Sequence, residues 1–168
     1  MRAQSSTVVI GLGNEFRRDD GLGPAVVRAL AGQIPATTVT DAIDLLASWA
    51  GKRLAIVVDL VVPALCRPGL VHRWTIDDKP GPLDSHAVDV AAALALSRVL
   101  GTAPGRVIMY AVEGTDLRPG VGLSPAVRSA VPVTARAIEF EIVGGAAVPD
   151  TWQCRNGLEG TLPNDRAQ

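Results

Sequence analysis

The hydrophobic positions of the chain fall into short β-branched runs separated by longer segments with helical spacing. The most apolar run, LAIVVDLVV at residues 54–62, has almost no polar positions. A strand that is apolar on both faces is typical of the centre of a parallel sheet covered by helices. The same criteria identify other elements along the chain. The predicted strands are 6–12, 36–42, 54–62, 69–76 and 106–114, and the predicted helices are 21–32, 43–51, 85–101 and 124–142.

This alternation of strands and helices predicts an α/β fold. We expect three layers, with a mostly parallel, twisted sheet of about five strands and helices on both faces. Residues 69–76 alternate between apolar and polar positions, so they are predicted to form an edge strand or a hairpin arm. The periodicity ends near residue 142. The sequence therefore predicts one domain at 1–142, followed by an irregular or disordered tail at 143–168.

Composition and charge exclude several classes of protein. The 168 residues are 48% hydrophobic, enough for one sizeable core. Lys and Arg number 16 against 17 Asp and Glu, so the basic excess of a typical nucleic-acid binder is absent. The sequence contains no run of about 18 apolar residues, which a membrane span would need. The first residues do not resemble a signal peptide. We therefore expect a cytoplasmic protein whose two cysteines are free thiols.

Three ionisable residues are predicted to converge where the strands end, since ligands of open parallel sheets bind beyond the carboxyl ends of the strands. Asp20 lies just before the first helix, Asp59 lies in the carboxyl half of the central strand, and His86 opens the helix at 85–101. Asp59 is the most informative. A carboxylate inside an apolar strand must be hydrogen-bonded, paired or metal-bound, because burying an unpaired charge costs on the order of several kcal/mol.

Two carboxylates and one neutral imidazole form a ligand set suited to Ni, Zn, Mn or Fe, with coordination positions left open. The amino end of a helix disfavours a charged imidazole, which keeps the His86 ring neutral. Structural alternatives exist beside this interpretation. Asp59 would also serve to accept backbone N–H groups at the strand end, and Asp19 or Asp20 is a natural N-cap for the first helix.

The other reactive side chains are predicted to be structural. His72 lies in an alternating strand, and Cys66 has no histidine near it in the sequence, so neither is predicted to be catalytic. A dinucleotide site is the least favoured alternative. Gly11 and Gly13 begin the right motif, but Phe16 stands where its third glycine belongs. Asp41 would still fit as a ribose ligand at the end of the second strand.

Four motifs, in the same order, resemble the [NiFe]-hydrogenase maturation endopeptidases. The first is VIGLGNEFRRDDGLGPAVVRAL, which is similar to the family's G-x-G-N loop followed by D-[DE]-G-x-G and a helix. The others are AIVVDLV, SHAVDVAAALALSRVLG and VEGTDLRPGVGLSPAVRSAVP. The resemblance extends over about residues 7–142. Four motifs in order are far more specific than a single glycine motif.

The resemblance implies a phosphorylase/hydrolase-like fold and an aspartic-type endopeptidase. Such enzymes remove the C-terminal extension from the nickel-loaded precursor of the hydrogenase large subunit during maturation. By motif position, the family's three metal-contacting side chains fall on Asp20, Asp59 and His86, with Asp20 and Asp59 as the catalytic carboxylates. Nickel is expected to arrive with the substrate, and another divalent metal is expected to be able to occupy the site in vitro. The implied partner is the precursor, with no nucleic acid or membrane, and the protein is expected to be a monomer.

The chain departs from the family's pattern after the second strand. Members commonly have a D-G-G-T-x-G turn there, linked to choosing the substrate, whereas this chain has TDAIDLLASWAG, with Asp41 but no glycine pair. We therefore expect peptidase chemistry to persist and the precursor to belong to a different hydrogenase class. A rival function is a non-catalytic assembly factor that binds the nickel-loaded precursor without cutting it. The intact set of two acids and one histidine favours the enzyme.

Overall fold

The computed structural model describes residues 6–30, 32, 34–76, 84–144 and 151–153, with side chains for all of these except 84–87 and 151–153. The strands are β1 (Thr7–Leu12), β2 (Ala36–Val39), β3 (Leu54–Val61), β4 (Leu70–Thr75), β5 (Arg106–Glu113) and β6 (Thr151–Gln153). The α-helices are α1 (Leu22–Ala29), α2 (Leu45–Ser48), α3 (Asp84–Val99) and α4 (Pro125–Ile142), and short 3-10 helices at Arg18–Gly21 and Ala42–Asp44 precede α1 and α2.

The strands form one six-stranded sheet in the order β2-β1-β3-β5-β4-β6. The pairs β1–β2, β1–β3 and β3–β5 are parallel, whereas β4 runs antiparallel to β5 and to β6. The predicted α/β fold with a mostly parallel sheet is confirmed. Two details differ from the prediction. Over the described residues the sheet has six strands rather than about five, and β4 is not an edge strand, because β6 from the chain after residue 142 pairs with it.

Apolar side chains bury both faces of the sheet. Ile56 and Ile108 belong to a core cluster shared with α1 and α4, whereas Val57 and Met109 belong to a second cluster shared with α2 and α3. All eight residues of β3 are buried, as the doubly apolar run predicts. Burying a side chain of this size contributes about 1.5–3 kcal/mol. Among the residues described, no helix is both long and apolar enough to span a bilayer.

Close contact between backbones fixes α1 against β1. A Cβ at Gly23 would lie 2.3 Å from the carbonyl oxygen of Leu12, and one at Gly11 would lie 2.4 Å from the carbonyl oxygen of Gly23. Neither position has room for a side chain, so the glycines allow the helix to approach the strand. Gly11 and Gly23 thus serve the packing of α1 on β1, a role that needs no bound nucleotide.

A hydrogen-bonded network ties β4, β5 and α4 together. Arg73 donates from Nε and Nη2 to the two carboxylate oxygens of Glu141, each at 2.8 Å. The hydroxyl of Tyr110 donates to Glu141 Oε2 at 3.0 Å. Burial, with the nearby negative charge of Glu141, raises the pKa of Tyr110. A bidentate arginine pair of this kind is geometrically specific and fixes the three elements in one arrangement.

The Tyr110 network predicts how the protein responds to alkali. Because the folded state raises the pKa of this phenol, its contribution to stability is present below the ordinary tyrosine pKa of about 10 and is lost as the pH rises above it. Tyr110 is the only tyrosine in the chain, so tyrosinate absorbance reports on it alone. We expect tyrosinate to appear only as the protein unfolds. Tyrosinate forming near pH 10 in protein whose far-ultraviolet circular dichroism is still native would contradict the assignment.

Candidate active site

A cavity of about 490 Å³ opens beyond the carboxyl ends of β1 and β3. Asp20, from the 3-10 helix that follows β1, and Asp59, from β3 itself, both line it. Helix α3 contributes Asp89, Ala92, Ala93 and Leu96 to the lining. Two of the three residues predicted from the sequence are therefore brought together at the edge of the sheet where ligands of parallel sheets bind.

Asp59 is almost completely buried, with 1% of its surface exposed. Its Oδ1 accepts a hydrogen bond from the backbone N–H of Leu60 at 2.7 Å. In the sheet it lies in register with Ala111 of β5. The structural interpretation predicted that Asp59 accepts a hydrogen bond from a backbone N–H at the strand end. The structure contains this hydrogen bond. That contact fixes the carboxylate in the wall of the cavity, so the two interpretations are compatible.

Asp20 is partly exposed and is held by the turn that follows β1. Its Oδ2 accepts from the backbone N–H of Asn14 at 3.1 Å, and its carbonyl oxygen accepts from the same N–H. Gly13 makes this turn possible. It has a φ of +133°, and a Cβ there would lie 2.1 Å from the carbonyl oxygen of Asp20. The glycine therefore allows the loop to fold back and place Asp20 at the cavity.

The predicted N-cap by Asp19 or Asp20 is wrong. The N-cap residue of α1 is Gly21, and no side chain caps this helix. The 3-10 helix at Arg18–Gly21 runs directly into α1, so the two aspartates lie inside a helical turn rather than at its start. Local spacing could not show this, because a cap and a first-turn residue have the same composition preferences.

Asp19 instead joins two distant loops. Its carboxylate is fully buried and accepts from the N–H of Ser124 at 2.7 Å, of Asp116 at 3.1 Å and of Thr115 at 3.4 Å. The Ser124 hydroxyl donates to it at 3.0 Å. Ser124 is the N-cap residue of α4, but its hydroxyl donates to Asp19 and not to a backbone atom of its own helix. Asp19 is thus a structural anchor beside Asp20.

The third predicted residue, His86, lies in the first turn of α3, three residues before Asp89. Its side chain is outside the described part of the structure, so its role as a ligand stays a prediction. Among the side chains that are described, no group of three or more His, Cys, Asp or Glu is arranged to hold a metal ion. The carboxylates of Asp20 and Asp59 are the described part of the predicted ligand set.

Sequence reasoning missed several residues that line the cavity. Asp89 and the exposed Arg17 are among them, and Asp41, considered earlier only as a ribose ligand, is another. Asp41 also accepts from the N–H of Ile43 at 3.0 Å, which caps the short helix at Ala42–Asp44. One signal was present in the sequence. Asp89 follows His86 by three residues, which places the two positions on neighbouring turns of one helix face.

Cys66 and His72 both lie beside Glu113, a buried carboxylate at the end of β5. His72 Nε2 is 2.7 Å from Glu113 Oε1, and the backbone N–H of Arg67 donates to Oε2. Burial first, and then the negative charge of Glu113, raise the pKa of the Cys66 thiol. A raised pKa keeps the thiol protonated and weakly nucleophilic. These contacts give His72 a structural partner and agree with a non-catalytic Cys66.

A mostly parallel sheet covered on both faces, with two carboxylates lining a cavity at the strand ends, is the arrangement in which α/β proteins bind their ligands. A sequence profile of the family described as HycI, hydrogenase maturation protease, matches residues 37–141, and the chain therefore belongs to the hydrogenase maturation protease family. The matched region includes Asp59 and His86 and begins after Asp20.

Individual relatives agree with this assignment. The "Hydrogenase 2 maturation protease" of Escherichia coli strain K12 is 24% identical over 135 residues, which is 74% of this chain and 82% of the relative. The structure of the hydrogenase maturating endopeptidase HybD from Escherichia coli superimposes with a TM-score of 0.66 at 21% identity, covering 82% of this chain and 93% of that one. HybD from Thermococcus kodakarensis, a [NiFe] hydrogenase maturation protease, gives 0.66 at 22% identity, with coverages of 81% and 97%. At these identities the structures establish a shared fold.

Proposed function

We propose that the protein is an endopeptidase that removes the C-terminal extension from the nickel-loaded precursor of a [NiFe]-hydrogenase large subunit. One observation carries the proposal. In a member of the maturation protease family, Asp20 and Asp59 line a single cavity at the carboxyl ends of β1 and β3. The two residues are 39 positions apart in the sequence, and the sheet topology alone brings them to the same edge.

The lining of the cavity suits a cationic ligand. Four carboxylate side chains and one guanidinium line it among the described residues: Asp20, Asp41, Asp59, Asp89 and Arg17. An excess of carboxylates in a partly enclosed cavity attracts positive charge. The nickel ion belongs to the substrate, and we propose that Asp20, Asp59 and His86 hold it when the precursor docks. Carboxylate oxygens with one imidazole nitrogen fit a borderline divalent ion of this kind.

Both carboxylates are positioned before the substrate arrives. The N–H of Leu60 holds Asp59, and the N–H of Asn14 holds Asp20. Peptide hydrolysis requires a group that accepts the proton of the attacking water and returns it to the leaving amine, and a fixed carboxylate can do both. We propose that one of these two aspartates has this role. Because nickel is needed to position the bond, cleavage would report that the large subunit has received its metal.

Substitution of the proposed ligands tests this function. Asp20→Asn is expected to slow the loss of the extension at least about 100-fold, the lower end of what a positioned acid or base contributes. His86→Ala removes a proposed nickel ligand and is expected to slow it as well. The measurement is the mass of the large subunit during incubation with nickel-loaded precursor. Asp44→Asn is the matched control, because Asp44 is exposed and adjoins the cavity residues without lining it.

The same assay separates the enzyme from a non-catalytic assembly factor. An assembly factor would bind nickel-loaded precursor and leave its mass unchanged, whereas the enzyme shortens it. Full cleavage by both Asp20→Asn and His86→Ala would show that the site is assigned wrongly even if the protein is a peptidase.

A further inference from the structure

The cavity is larger than a site for a metal ion alone would need, and its lining is partly charged and partly apolar. Its volume of about 490 Å³ is within the range of about 300–1,000 Å³ typical of pockets that enclose organic ligands. One part of the lining is carboxylate, as described above. Another part is apolar and is formed by Ile43, Ala92, Ala93 and Leu96. We call these four residues the apolar wall.

Two members of the apolar wall are large side chains exposed to solvent. Ile43 is 57% exposed and Leu96 is 41% exposed. They come from different elements that pack together, the 3-10 helix at Ala42–Asp44 and α3. The backbone of Ile43 is fixed by its hydrogen bond to Asp41, and Leu96 lies within the regular part of α3. The structure thus presents apolar area on rigid supports, which is characteristic of a surface that binds a ligand.

We propose that the apolar wall binds an apolar side chain of the substrate polypeptide, from a residue flanking the bond that is cut. This inference rests on the proposed function, since the occupant is part of the same precursor. The apolar wall is continuous with the proposed catalytic site, because Ile43 and Leu96 line the same cavity as Asp20 and Asp59. A chain segment placed with its scissile bond at the carboxylates therefore occupies the cavity that the apolar wall also lines. An apolar side chain there removes both surfaces from water, whereas a charged side chain would lose its hydration without a partner.

A double-mutant cycle between enzyme and precursor tests this subsite. The enzyme variants are Ile43→Ser and Leu96→Ser, and the precursor variants replace the residue on each side of the cut by serine, one side at a time. We expect each enzyme variant to lower kcat/KM for the native precursor by about 10- to 100-fold, as for a lost apolar contact in a specificity pocket. The loss should largely disappear with the precursor whose serine replaces the bound side chain.

Leu100→Ser is the matched control. Leu100 is 57% exposed and lies four residues after Leu96, just beyond α3, but it does not line the cavity. It should retain the wild-type kcat/KM. Equal kcat/KM values for Leu96→Ser and Leu100→Ser would overturn the subsite. A decrease in kcat/KM that is the same for every precursor variant would also overturn it. If the wild-type protein cuts no precursor, the proposed function fails instead. The same cycle, measured as precursor affinity by calorimetry, then decides whether the wall binds the side chain.

Discussion

Asp59→Asn is expected to slow removal of the precursor's extension by about 10³-fold, within the 10²–10⁴-fold range of positioned acid–base groups. Asparagine has nearly the same shape as aspartate and can still accept the hydrogen bond from the N–H of Leu60. It removes the negative charge and the ability to accept a proton. Because the residue is buried, bulk water cannot replace either property. The rate constant should be measured by mass spectrometry under single-turnover conditions.

Two controls make the Asp59 result interpretable. Asp44→Asn should cut at close to the wild-type rate, because it makes the same chemical change next to the cavity but outside it. The thermal midpoint of Asp59→Asn should show that the variant is folded at the assay temperature. A folded Asp59→Asn variant with undiminished cleavage would exclude a catalytic role for this carboxylate.

Asp19→Ala is expected to produce the largest loss of stability, about 3–5 kcal/mol, although Asp19 lies next to a catalytic candidate. The buried carboxylate accepts four hydrogen bonds from Thr115, Asp116 and Ser124. Removing it leaves several N–H groups in partly buried contacts without their acceptor, and an unsatisfied group costs about 1–3 kcal/mol where water does not replace the acceptor. Asp20→Ala should cost only about 1 kcal/mol, since its carboxylate holds one amide in a partly exposed turn.

Asp19→Ala and Asp20→Ala are expected to differ in both stability and activity. Urea unfolding should show Asp19→Ala strongly destabilised and Asp20→Ala close to wild type, whereas the cleavage assay should show Asp20→Ala inactive even where it is fully folded. Equal losses of stability in the two variants would contradict the assignment of a structural role to Asp19 and a functional role to Asp20.

The fold was largely predictable because hydrophobic periodicity encodes it directly. The doubly apolar run around Ile56 specifies a central strand, and the alternation of elements specifies the parallel order. The sixth strand was not predictable. Thr151–Gln153 is three residues long, too short to carry a period, and only its pairing with β4 defines it. Because β6 pairs with β4, β4 lies inside the sheet and not at the predicted edge.

The candidate site was predictable only in part. Asp20 and Asp59 could be predicted because ligands of parallel sheets bind beyond the carboxyl ends of the strands. In the structure both residues line one cavity there. The role of Asp19 was not accessible, because its partners lie about a hundred residues away and a local helix cap explains the same sequence equally well. Arg17 and Leu96 were missed because nothing in their sequence neighbourhood shows which part of a loop or helix meets the cavity.

The most direct test of the account is the intact mass of the large-subunit precursor after incubation with the wild-type protein, with nickel-loaded and nickel-free precursor compared side by side. We predict that the nickel-loaded precursor loses the mass of its C-terminal extension, with the extension recovered as one peptide, and that the nickel-free precursor keeps its full mass. An unchanged mass for the nickel-loaded precursor, or equal cleavage of both, would contradict a nickel-dependent endopeptidase.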